Sequence, residues 1–307
     1  MGNERGNESH MTTDLDDEMD AILITGPTAS GKSALALHLA REAGGVVINA
    51  DSMQVYDTLR VLTARPSEAE MEGVQHLLYG HVLAKCAYST GEWLRDVQDF
   101  MPKLRAEGRL PVFVGGTGLY FKALTGGLSD MPEISQDVRC RVRLRLKEEG
   151  PEALHAELSR RDAVVAESLE PKDGQRIVRA LEVLEETGRS IADFQGRQGA
   201  TVIDPARAKK LVVLPDRKIL HERINRRFEK MLEGGAVDEV RALLALHPAP
   251  DLPIMKAIGV REIAGMLEGR MSREEVIERA SALTRQYAKR QMTWFRNQMD
   301  ESWERIG

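Results

Sequence analysis

The segment AILITGPTASGKSALALHLAREAGG, residues 21–45, decides the fold of this chain. Its apolar run AILIT predicts a short buried strand, and SALALHLARE has the apolar spacing of a helix that the two glycines end. Between them, residues 26–33 read GPTASGKS and match the phosphate-loop pattern G-x-x-x-x-G-K-[ST]. A glycine-rich loop between a strand and a helix presents backbone amides to an anion, so the segment predicts a phosphate site.

Two side chains of this loop add to the predicted site. Lys32 supplies positive charge, and Ser33 supplies a hydroxyl that suits Mg²⁺. The flanking strand and helix both fit the pattern, which favours a real phosphate loop over an accidental match. The pattern leaves open which phosphate compound binds and which reaction follows.

Further strands along the chain predict an α/β fold. GGVVINAD at residues 44–51, RLPVFVGG at 109–116 and AKKLVVLPD at 208–216 are short apolar runs, and helical patterns separate them. Alternating strands and helices form a parallel sheet that binds ligands at the carboxyl ends of its strands. The second strand therefore brings Asp51 to the edge that carries the phosphate loop.

The middle of the chain has a different pattern. From about residue 129 to about residue 200 the strand signal disappears, and charged helical segments such as GQRIVRALEVLEETG take its place. The first residues lack apolar periodicity, which is typical of disorder. We therefore predict a disordered tail at residues 1–19, a helical insertion at 129–200 and a catalytic core formed by 20–128 and 201–307.

Composition limits the classes of protein that fit. The 307 residues are 42% hydrophobic and 30% charged, without an apolar run that could cross a bilayer or act as a signal peptide. Cys86 and Cys140 lack metal-ligand spacing and indicate reduced thiols. The net charge of −5 disfavours a general nucleic-acid coat but leaves room for local basic patches. We expect a monomeric cytoplasmic enzyme.

Asp51 is the first candidate for chemistry. A carboxylate at a strand end beside a phosphate loop can accept a proton from an acceptor nucleophile. The alternative is a structural role as the cap of a turn, to which Asp is well suited. Kinases of this fold commonly carry another acid at a strand end to position Mg²⁺. VFVGGTG ends in glycines and Thr117 instead, which disfavours a kinase.

Arg227 is the second candidate. The segment LHERINRRFEKML carries an apolar helical stripe at Leu220, Ile224, Phe228 and Met231. At about 100° per residue, Arg227 lies about 20° from Leu220, whereas Arg226 points well away. An inward guanidinium needs an anion. That anion is either a structural carboxylate or a ligand diphosphate, and the helix by itself leaves both open.

The last helical pattern is predicted to begin at a capping box formed by Ser272 and Glu275. A third segment, in this last part of the chain, mixes bases with aromatic residues. TRQYAKRQMTWFR at residues 284–296 interleaves arginines and a lysine with Tyr287, Trp294 and Phe295. Such a pattern fits base stacking on RNA, but aromatic residues on a helix more often pack in a core. The basic run RCRVRLRLK at residues 139–147 is open to the same two interpretations.

Taken in order, these segments resemble the bacterial tRNA dimethylallyltransferases. The resemblance covers nearly everything after about residue 20. It rests on GPTASGKS (26–33), INADSMQVY (48–56), TARPS (63–67), VGGTGLYFKAL (114–124), QRIVRALEV (175–183), LHERINRRF (220–228), KAIGVRE (256–262) and TRQYAKRQMTWFR (284–296).

The resemblance implies both a fold and a reaction. The fold is a phosphate-loop α/β core related to nucleotide kinases, with an inserted helical domain that grips the tRNA anticodon stem-loop. The reaction transfers the dimethylallyl group of dimethylallyl diphosphate to the exocyclic amine of the adenosine 3′ of the anticodon. Mg²⁺ is the implied cofactor, with Ser33 as its ligand, and no phosphoryl group moves.

The resemblance also implies site residues at the matching positions. Asp51 would be the general base, Thr117 would contact the reacting region and the tRNA, and Arg227 would neutralise the diphosphate. The diphosphate-binding residues would be Gly26, Pro27, Thr28, Ala29, Ser30, Gly31, Lys32 and Ser33. The tRNA-binding residues would further include Asp51, Ser52, Met53, Gln54, Arg139, Gln175, Arg176, Ile177, Val178, Arg179, Lys256, Ala257, Ile258, Gly259, Val260 and Arg261.

Three other functions share parts of this pattern. Related enzymes that prenylate free adenine nucleotides have the loop and the Asp, but the QRIVR and KAIGVR segments favour tRNA. A metabolite kinase is supported by the loop alone. A nucleotide-switched RNA-binding module without catalysis would explain the loop and the basic segments.

Overall fold

The computed structural model describes residues 19–196, 199 and 201–307. The predicted disordered tail lies outside the described residues except for Met19, which packs against the core of the sheet. Within the described residues, no helix is both long enough and apolar enough to cross a membrane.

The chain forms two compact units. One contains the described residues up to Phe121 together with Ile203–Gly307, and the other is Lys122–Val202. The predicted helical insertion, residues 129–200, falls inside the second unit.

The first unit is built on a six-stranded sheet whose pairs are all parallel, as the alternating pattern predicted. The order across the sheet is β3-β2-β4-β1-β5-β6. The strands are β1 (Ala21–Thr25), β2 (Val46–Asn49), β3 (His76–Leu77), β4 (Pro111–Gly115), β5 (Ala208–Val213) and β6 (Glu304–Ile306). The edge strands β3 and β6 were not predicted, because two or three residues are too few to show a period.

Helices connect these strands and make up the second unit. In chain order they are α1 (Lys32–Glu42), α2 (Glu68–Met71), α3 (Thr90–Ala106), α4 (Gly118–Gly126), α5 (Gln136–Glu149), α6 (Pro151–Arg161), α7 (Ala163–Glu167), α8 (Gly174–Thr187), α9 (Ala192–Gln195), α10 (Arg217–Glu233), α11 (Ala236–Ala245), α12 (Val260–Leu267) and α13 (Arg273–Gln298). A 3₁₀ turn, Pro253–Lys256, precedes α12.

Burial on both faces explains why the central strands are apolar throughout. Strands β1, β2 and β4 are buried along their whole length. On one face α1 packs Ala36 and Ala40 against alternate sheet residues, and on the other Trp93 of α3 meets Phe113 of β4. A parallel sheet covered on both faces requires such continuous apolar runs.

Two local helix predictions are confirmed. Ser272 caps α13, because its hydroxyl accepts the Glu275 amide at 3.2 Å while the Glu275 carboxylate accepts the Ser272 amide at 2.7 Å. The predicted apolar stripe of α10 is buried, with Leu220 and Ile224 almost fully covered. Both helices carry residues of the candidate site.

The second unit is helical throughout its described residues. Its core contains Val142, Leu154, Leu158, Ile177 and Leu181, each with 0% exposure. Helix α8 starts at the cap of Asp173 and ends at Gly188, which has a left-handed conformation. This end is the usual glycine stop of a helix.

Candidate active site

The phosphate loop joins β1 to α1 as the sequence predicted. Residues 26–31 follow β1 directly, and α1 begins at Lys32. Gly31 has φ 95°, a left-handed conformation that glycine adopts without a steric penalty. The loop therefore runs into a helix start whose first amides lack helical partners and are suited to bind an anion.

Lys32 of the loop interacts electrostatically with residues of two segments that are distant in the sequence. Its Nζ donates to the carbonyl of Pro27 at 3.3 Å. Burial lowers the pKa of Lys32 to about 8, while the negative charge of Asp51 opposes this shift and the positive charge of Arg227 adds to it. The fold thus brings together the three charged groups that three separate segments predicted.

The structural role of Asp51 is present, and the second oxygen of its carboxylate leaves room for the other role. Its Oδ1 accepts the amide of Met53 at 2.9 Å, which is the hydrogen bond of an Asp-capped turn. Its Oδ2 makes no hydrogen bond with any described residue. One oxygen therefore holds the local geometry while the other is available to a ligand.

Asn49, which sequence analysis missed, fixes the backbone at Asp51. Its Oδ1 accepts the amide of Asp51 at 2.9 Å, and its Nδ2 donates to the carbonyls of Asp51 and Leu78. The indole of Trp93 donates to the Asn49 carbonyl at 2.8 Å. Asn49 has 0% exposure. The available signal was a polar residue at the end of an otherwise apolar strand.

Arg227 leans inward, as the helical spacing predicted. It is half-buried, whereas its neighbour Arg226 is exposed. Burial lowers the pKa of Arg227, and the charge of Asp51 opposes this effect. Within the part of the chain that the structure describes, Arg227 makes no ion pair or hydrogen bond. This arrangement favours a ligand anion over a structural carboxylate as its partner.

Thr117 contacts the residue next to Asp51. Its Oγ1 accepts the amide of Ser52 at 3.0 Å and donates to the Ser52 hydroxyl at 3.3 Å. Gln54 holds the following loop, since its Nε2 donates to the carbonyls of Thr63 and Ala64. The structure thus places Thr117 beside the predicted base.

The charge of Asp51 acts on three tyrosines, of which sequence analysis singled out only Tyr287, and that one for base stacking or core packing. Burial and the negative charge of Asp51 raise the pKa of Tyr79, Tyr120 and Tyr287. Their hydroxyls therefore remain protonated at neutral pH and can donate hydrogen bonds. These residues lie on different elements, so no local spacing connects them.

Two further contacts to the phosphate loop were not predicted. Arg223, which lies on the exposed side of α10, donates from Nη1 to the carbonyl of Ser30 at 3.4 Å. The amide of Thr28 donates to Oε1 of Gln291 at 3.0 Å. The Thr28 amide is therefore already engaged, and only its hydroxyl is available for the predicted contact with a diphosphate. The hydroxyl oxygen of Ser30 is buried and has no hydrogen-bond partner.

The KAIGVR segment divides into buried and exposed positions. Ala257, Gly259 and Val260 are buried, and their side-chain positions pack in the core of the first unit. Lys256 and Arg261 are exposed, and Ile258 is half-buried. The side chains of the buried positions pack in the core, and contact of this segment with tRNA stays a prediction.

The QRIVR segment divides in the same way. Ile177 and Val178 are buried in the core of the second unit, and their predicted contact with tRNA stays a prediction. Gln175 and Arg176 are exposed, and Arg176 pairs with Asp173 at 3.4 Å. Arg179 is half-buried and lies 3.7 Å from the carboxylate of Glu182.

Most bases of the run 139–147 serve the packing of the second unit. Arg141 pairs with Glu185 at 2.8 Å, and Arg143 pairs with the buried Glu182 at 3.2 Å. Arg145 bonds the carboxylates of Glu149 and Glu157. These arginines thus link α5 to α6 and α8, which favours the structural interpretation for them.

Arg139 differs from the other arginines of this run. It makes no ion pair with a described residue, and its Nε is buried without a hydrogen-bond partner. Burial is the largest cause of the lowered pKa of Arg179, and the positive charge of Arg139 lowers this pKa further. Arg139 therefore has unsatisfied capacity for an anion, whereas Arg179 already pairs with Glu182.

Among the aromatic residues of α13, Phe295 belongs to the core, whereas Tyr287 and Trp294 are partly exposed. Phe295 is 2% exposed, and its ring meets that of Trp294 edge-on with centroids 5.7 Å apart. The guanidinium of Arg290 lies over the ring of Tyr287. This packing favours the core interpretation over base stacking for Phe295.

Comparison with protein families and curated proteins identifies close relatives. The family model described as IPP transferase matches residues 54–298, and the one described as isopentenyl transferase matches residues 19–84. The chain is 70% identical to the tRNA dimethylallyltransferase of Agrobacterium fabrum over 296 residues, covering 96% of this chain and 99% of the relative. It is 69% identical to the tRNA dimethylallyltransferase of Allorhizobium ampelinum, again over 296 residues, covering 96% and 97% of the two chains.

Solved structures have the same architecture. The tRNA isopentenylpyrophosphate transferase of Bacillus halodurans superposes with a TM-score of 0.65 and 33% identity, covering 94% of this chain and 90% of that one. A eukaryotic dimethylallyltransferase acting on tRNA superposes with a TM-score of 0.77 and 28% identity, covering 90% of this chain and 69% of that one.

Proposed function

The chain belongs to the IPP transferase family, and from this membership we propose that it prenylates tRNA. It transfers the dimethylallyl group of dimethylallyl diphosphate to the exocyclic amine of the adenosine 3′ of the anticodon and releases diphosphate. Identity of about 70% to tRNA dimethylallyltransferases over nearly their whole length supports a prenyl-transferring enzyme that acts on tRNA.

One observation carries the chemical part of the proposal. Lys32, Asp51 and Arg227 come from three separate segments and interact electrostatically at one place. Two cations and one carboxylate match a reaction that binds a diphosphate and removes one proton. Arg227 has no described protein partner, so its charge is available to the leaving group.

Asp51 acts on the nucleophile. The adenine amine is a poor nucleophile because its lone pair is delocalised into the ring, so proton removal has to accompany attack. As the nitrogen bonds to the allylic carbon, the carbon–oxygen bond to the diphosphate breaks and the amine proton passes to Asp51. The oxygen of Asp51 that does not cap the turn is the one available for this proton.

The phosphate loop and Arg227 act on the leaving group. Negative charge grows on the diphosphate as its bond to carbon breaks, and preorganised cations and amides stabilise such charge most in a site shielded from water. Lys32, Arg227 and the start of α1 provide these groups. The diphosphate leaves intact, so no phosphoryl transfer occurs.

Magnesium fits the chemistry of the loop. Ser33 is exposed at the start of α1, and the described residues contain no cluster of three metal-ligating side chains. Mg²⁺ commonly keeps several waters and binds one protein ligand together with phosphate oxygens. We propose that Ser33 would hold the ion with the diphosphate, where it would neutralise part of the negative charge.

The kinase alternative is less well supported. Strand β4 pairs directly with β1, and the residues that follow it are glycines and Thr117 rather than an acid. A phosphoryl-transferring enzyme of this fold needs a carboxylate there to position its metal. The nearest acid, Asp51, follows β2 and is coupled to the proposed leaving-group cations.

A single assay separates the candidate reactions. The purified protein receives labelled dimethylallyl diphosphate with a tRNA transcript, with free AMP, or with no acceptor, and a parallel sample receives labelled ATP with small hydroxyl compounds. We expect label in tRNA alone, lost when the adenosine 3′ of the anticodon is replaced by guanosine. Label in AMP, or phosphorylation of a hydroxyl compound, would contradict the proposal.

We further propose that the enzyme is a monomer, since Lys32, Asp51 and Arg227 interact within one chain. The proposed substrate implies a cytoplasmic location. Light scattering after gel filtration tests the first statement, since an active dimer that loses activity on dilution would contradict it.

Binding of tRNA is expected to depend on Arg139 and Arg176. Each phosphate contact releases counterions, so the slope of log affinity against log salt should flatten by about 1.4 to 1.8 in the R139Q/R176Q double variant. Arg179 is kept, because its removal would take one cation from the buried carboxylate of Glu182. The slope is measured by filter binding with the anticodon stem-loop.

Arg241→Gln is the matched control for that experiment. Arg241 is exposed on α11 and pairs with Asp238 on the same helix, so its loss should leave the slope unchanged. Equal slopes for the double variant and the parent enzyme would show that Arg139 and Arg176 contact no phosphate.

Donor binding is expected to depend on the protonation of Lys32. In the free enzyme its pKa is about 8, so the side chain loses its proton as the pH rises through that value. A bound diphosphate favours the charged form and raises this pKa. Donor affinity should therefore fall above pH 8, and binding at pH 8 should take up a proton.

Calorimetry at pH 8 in two buffers with different ionisation enthalpies measures this proton uptake. Lys32→Arg is the control, because an arginine stays charged in this range and should remove the uptake. Identical binding enthalpies of the parent enzyme in both buffers would contradict the prediction.

A further inference from the structure

Gln291 of α13 lies at the centre of the candidate site without an assigned role. Its side chain is 6% exposed. Its Oε1 accepts the amide of Thr28 in the phosphate loop at 3.0 Å, and its Nε2 donates to the carbonyl of Gly116 after β4 at 2.9 Å. One amide group thus links the ends of β1 and β4.

The surroundings of this amide leave little freedom. A Cβ atom on Gly116 would lie 2.3 Å from Nε2 of Gln291, a distance that the packed side chain cannot accommodate. Glycine at this position therefore allows the close approach of the Gln291 amide. The link depends on a long-range contact, since Gln291 and Thr28 are 263 positions apart in the sequence.

The same link continues toward the proposed base. Gly116 is followed by Thr117, whose hydroxyl accepts the amide of Ser52 at 3.0 Å. Ser52 directly follows Asp51. A continuous path of backbone and hydrogen bonds therefore runs from the phosphate loop through Gln291 and Thr117 to the Asp51 turn.

We propose that Gln291 is a positioning residue that holds the diphosphate-binding loop at a set distance from the Asp51 turn. Transfer between two substrates depends on this distance, because a displacement of about 1 Å of a reacting group can lower a rate by about 10²-fold. The proposal rests on the proposed function, since it assigns the loop to the donor and the turn to the acceptor.

An amide is suited to this position because it offers one donor and one acceptor in a fixed plane. The Thr28 amide requires an acceptor, and the Gly116 carbonyl requires a donor. A carboxylate would present a second acceptor to the carbonyl, and an apolar side chain would leave both buried groups unsatisfied. Glutamine satisfies both neighbours at any ordinary pH, whereas glutamic acid would have to be protonated to do so.

Gln291→Met tests the proposal, because it keeps the length of the side chain and removes both hydrogen bonds. We expect affinity for inorganic diphosphate with Mg²⁺ to fall by about 10-fold and single-turnover transfer to tRNA by about 10-fold to 100-fold. Affinity for tRNA should stay within about twofold. Hydrogen exchange of peptides that contain Thr28 should become faster, since its amide loses its partner.

Val276→Ala is the matched control for stability. Val276 is buried on the same helix, far along the chain from Gln291, and packs in a different part of the core. Its truncation should lower the melting temperature without changing diphosphate affinity or exchange at Thr28. Gln291→Glu is the second variant, which keeps the acceptor for Thr28 and should preserve its protection while weakening transfer.

Two outcomes would overturn the proposal. In one, Gln291→Met lowers the melting temperature but binds diphosphate and exchanges at Thr28 like the parent enzyme. In the other, Val276→Ala reduces diphosphate affinity as much as Gln291→Met at an equal loss of stability. Neither readout needs prenyl transfer, so a parent enzyme that fails to prenylate tRNA would contradict the proposed function and still leave this comparison decisive.

Discussion

Replacing Asp51 by asparagine should lower single-turnover transfer to tRNA by about 10²-fold or more, the usual scale for the loss of a general base. Asparagine keeps an oxygen that can accept the Met53 amide, so the turn at this position should persist. It cannot accept the amine proton at neutral pH. The variant therefore separates the chemical role of Asp51 from its structural role.

Transfer is measured by rapid quench with saturating enzyme, and tRNA affinity is measured by filter binding. We expect tRNA affinity to change by no more than a few-fold, because the backbone of Ser52 remains held by Thr117. Asp57→Asn is the matched control, since Asp57 is exposed on the same segment and bonds only the adjacent Thr58 through its side chain. Near-normal transfer by Asp51→Asn would remove Asp51 from the role of base.

Replacing Arg227 by alanine should lower transfer by about 10²-fold to 10³-fold, the scale for removal of one preorganised group that stabilises developing charge. The guanidinium is half-buried and has no protein partner among the described residues, so a ligand is expected to complete its environment. Binding of dimethylallyl diphosphate should weaken in the same variant. Lys32→Ala should act in the same direction, because its charge faces the same leaving group.

Arg226→Ala is the matched control for this prediction. Arg226 is the preceding residue of α10, is exposed, and points away from the site. Its loss should change neither the Michaelis constant for the donor nor the rate of transfer. If Arg227→Ala lowers only the melting temperature and leaves the donor kinetics intact, Arg227 has a structural role.

The sequence predicted the elements whose signals are local. The phosphate loop, the strands β1, β2, β4 and β5, and the capped start of α13 each depend on residues within a few positions of one another. The inward lean of Arg227 follows from the geometry of one helix. Such features are visible in a sequence because short-range spacing determines them.

The segments predicted to contact tRNA contain both buried and exposed positions. The QRIVR and KAIGVR segments were assigned as continuous runs, but Ile177 and Val260 each have 0% exposure. QRIVR lies in α8, where adjacent positions of the helix face different directions, so its side chains divide between the core and the surface. The exposed positions Arg176, Lys256 and Arg261 remain predictions for tRNA contact.

The basic run 139–147 shows the same limit for charge. Its bases suggested an RNA surface, yet Arg141, Arg143 and Arg145 pair with carboxylates of α6 and α8 in the folded chain. Partners on other helices cannot be read from the composition of one segment. Arg139 lacks such a partner among the described residues. It is therefore the arginine of this run for which binding of an anionic ligand is best supported.

By itself the sequence determined the α/β class, the phosphate loop and the identity of Asp51 and Arg227 as candidates, because each depends on a local pattern or on a segment matched in order. Only the tertiary structure decided that Lys32, Asp51 and Arg227 act on one another and that Gln291 joins the loop to the end of β4. Those relations span up to 263 positions of the chain. They arise from the packing of whole strands and helices, which no local spacing specifies.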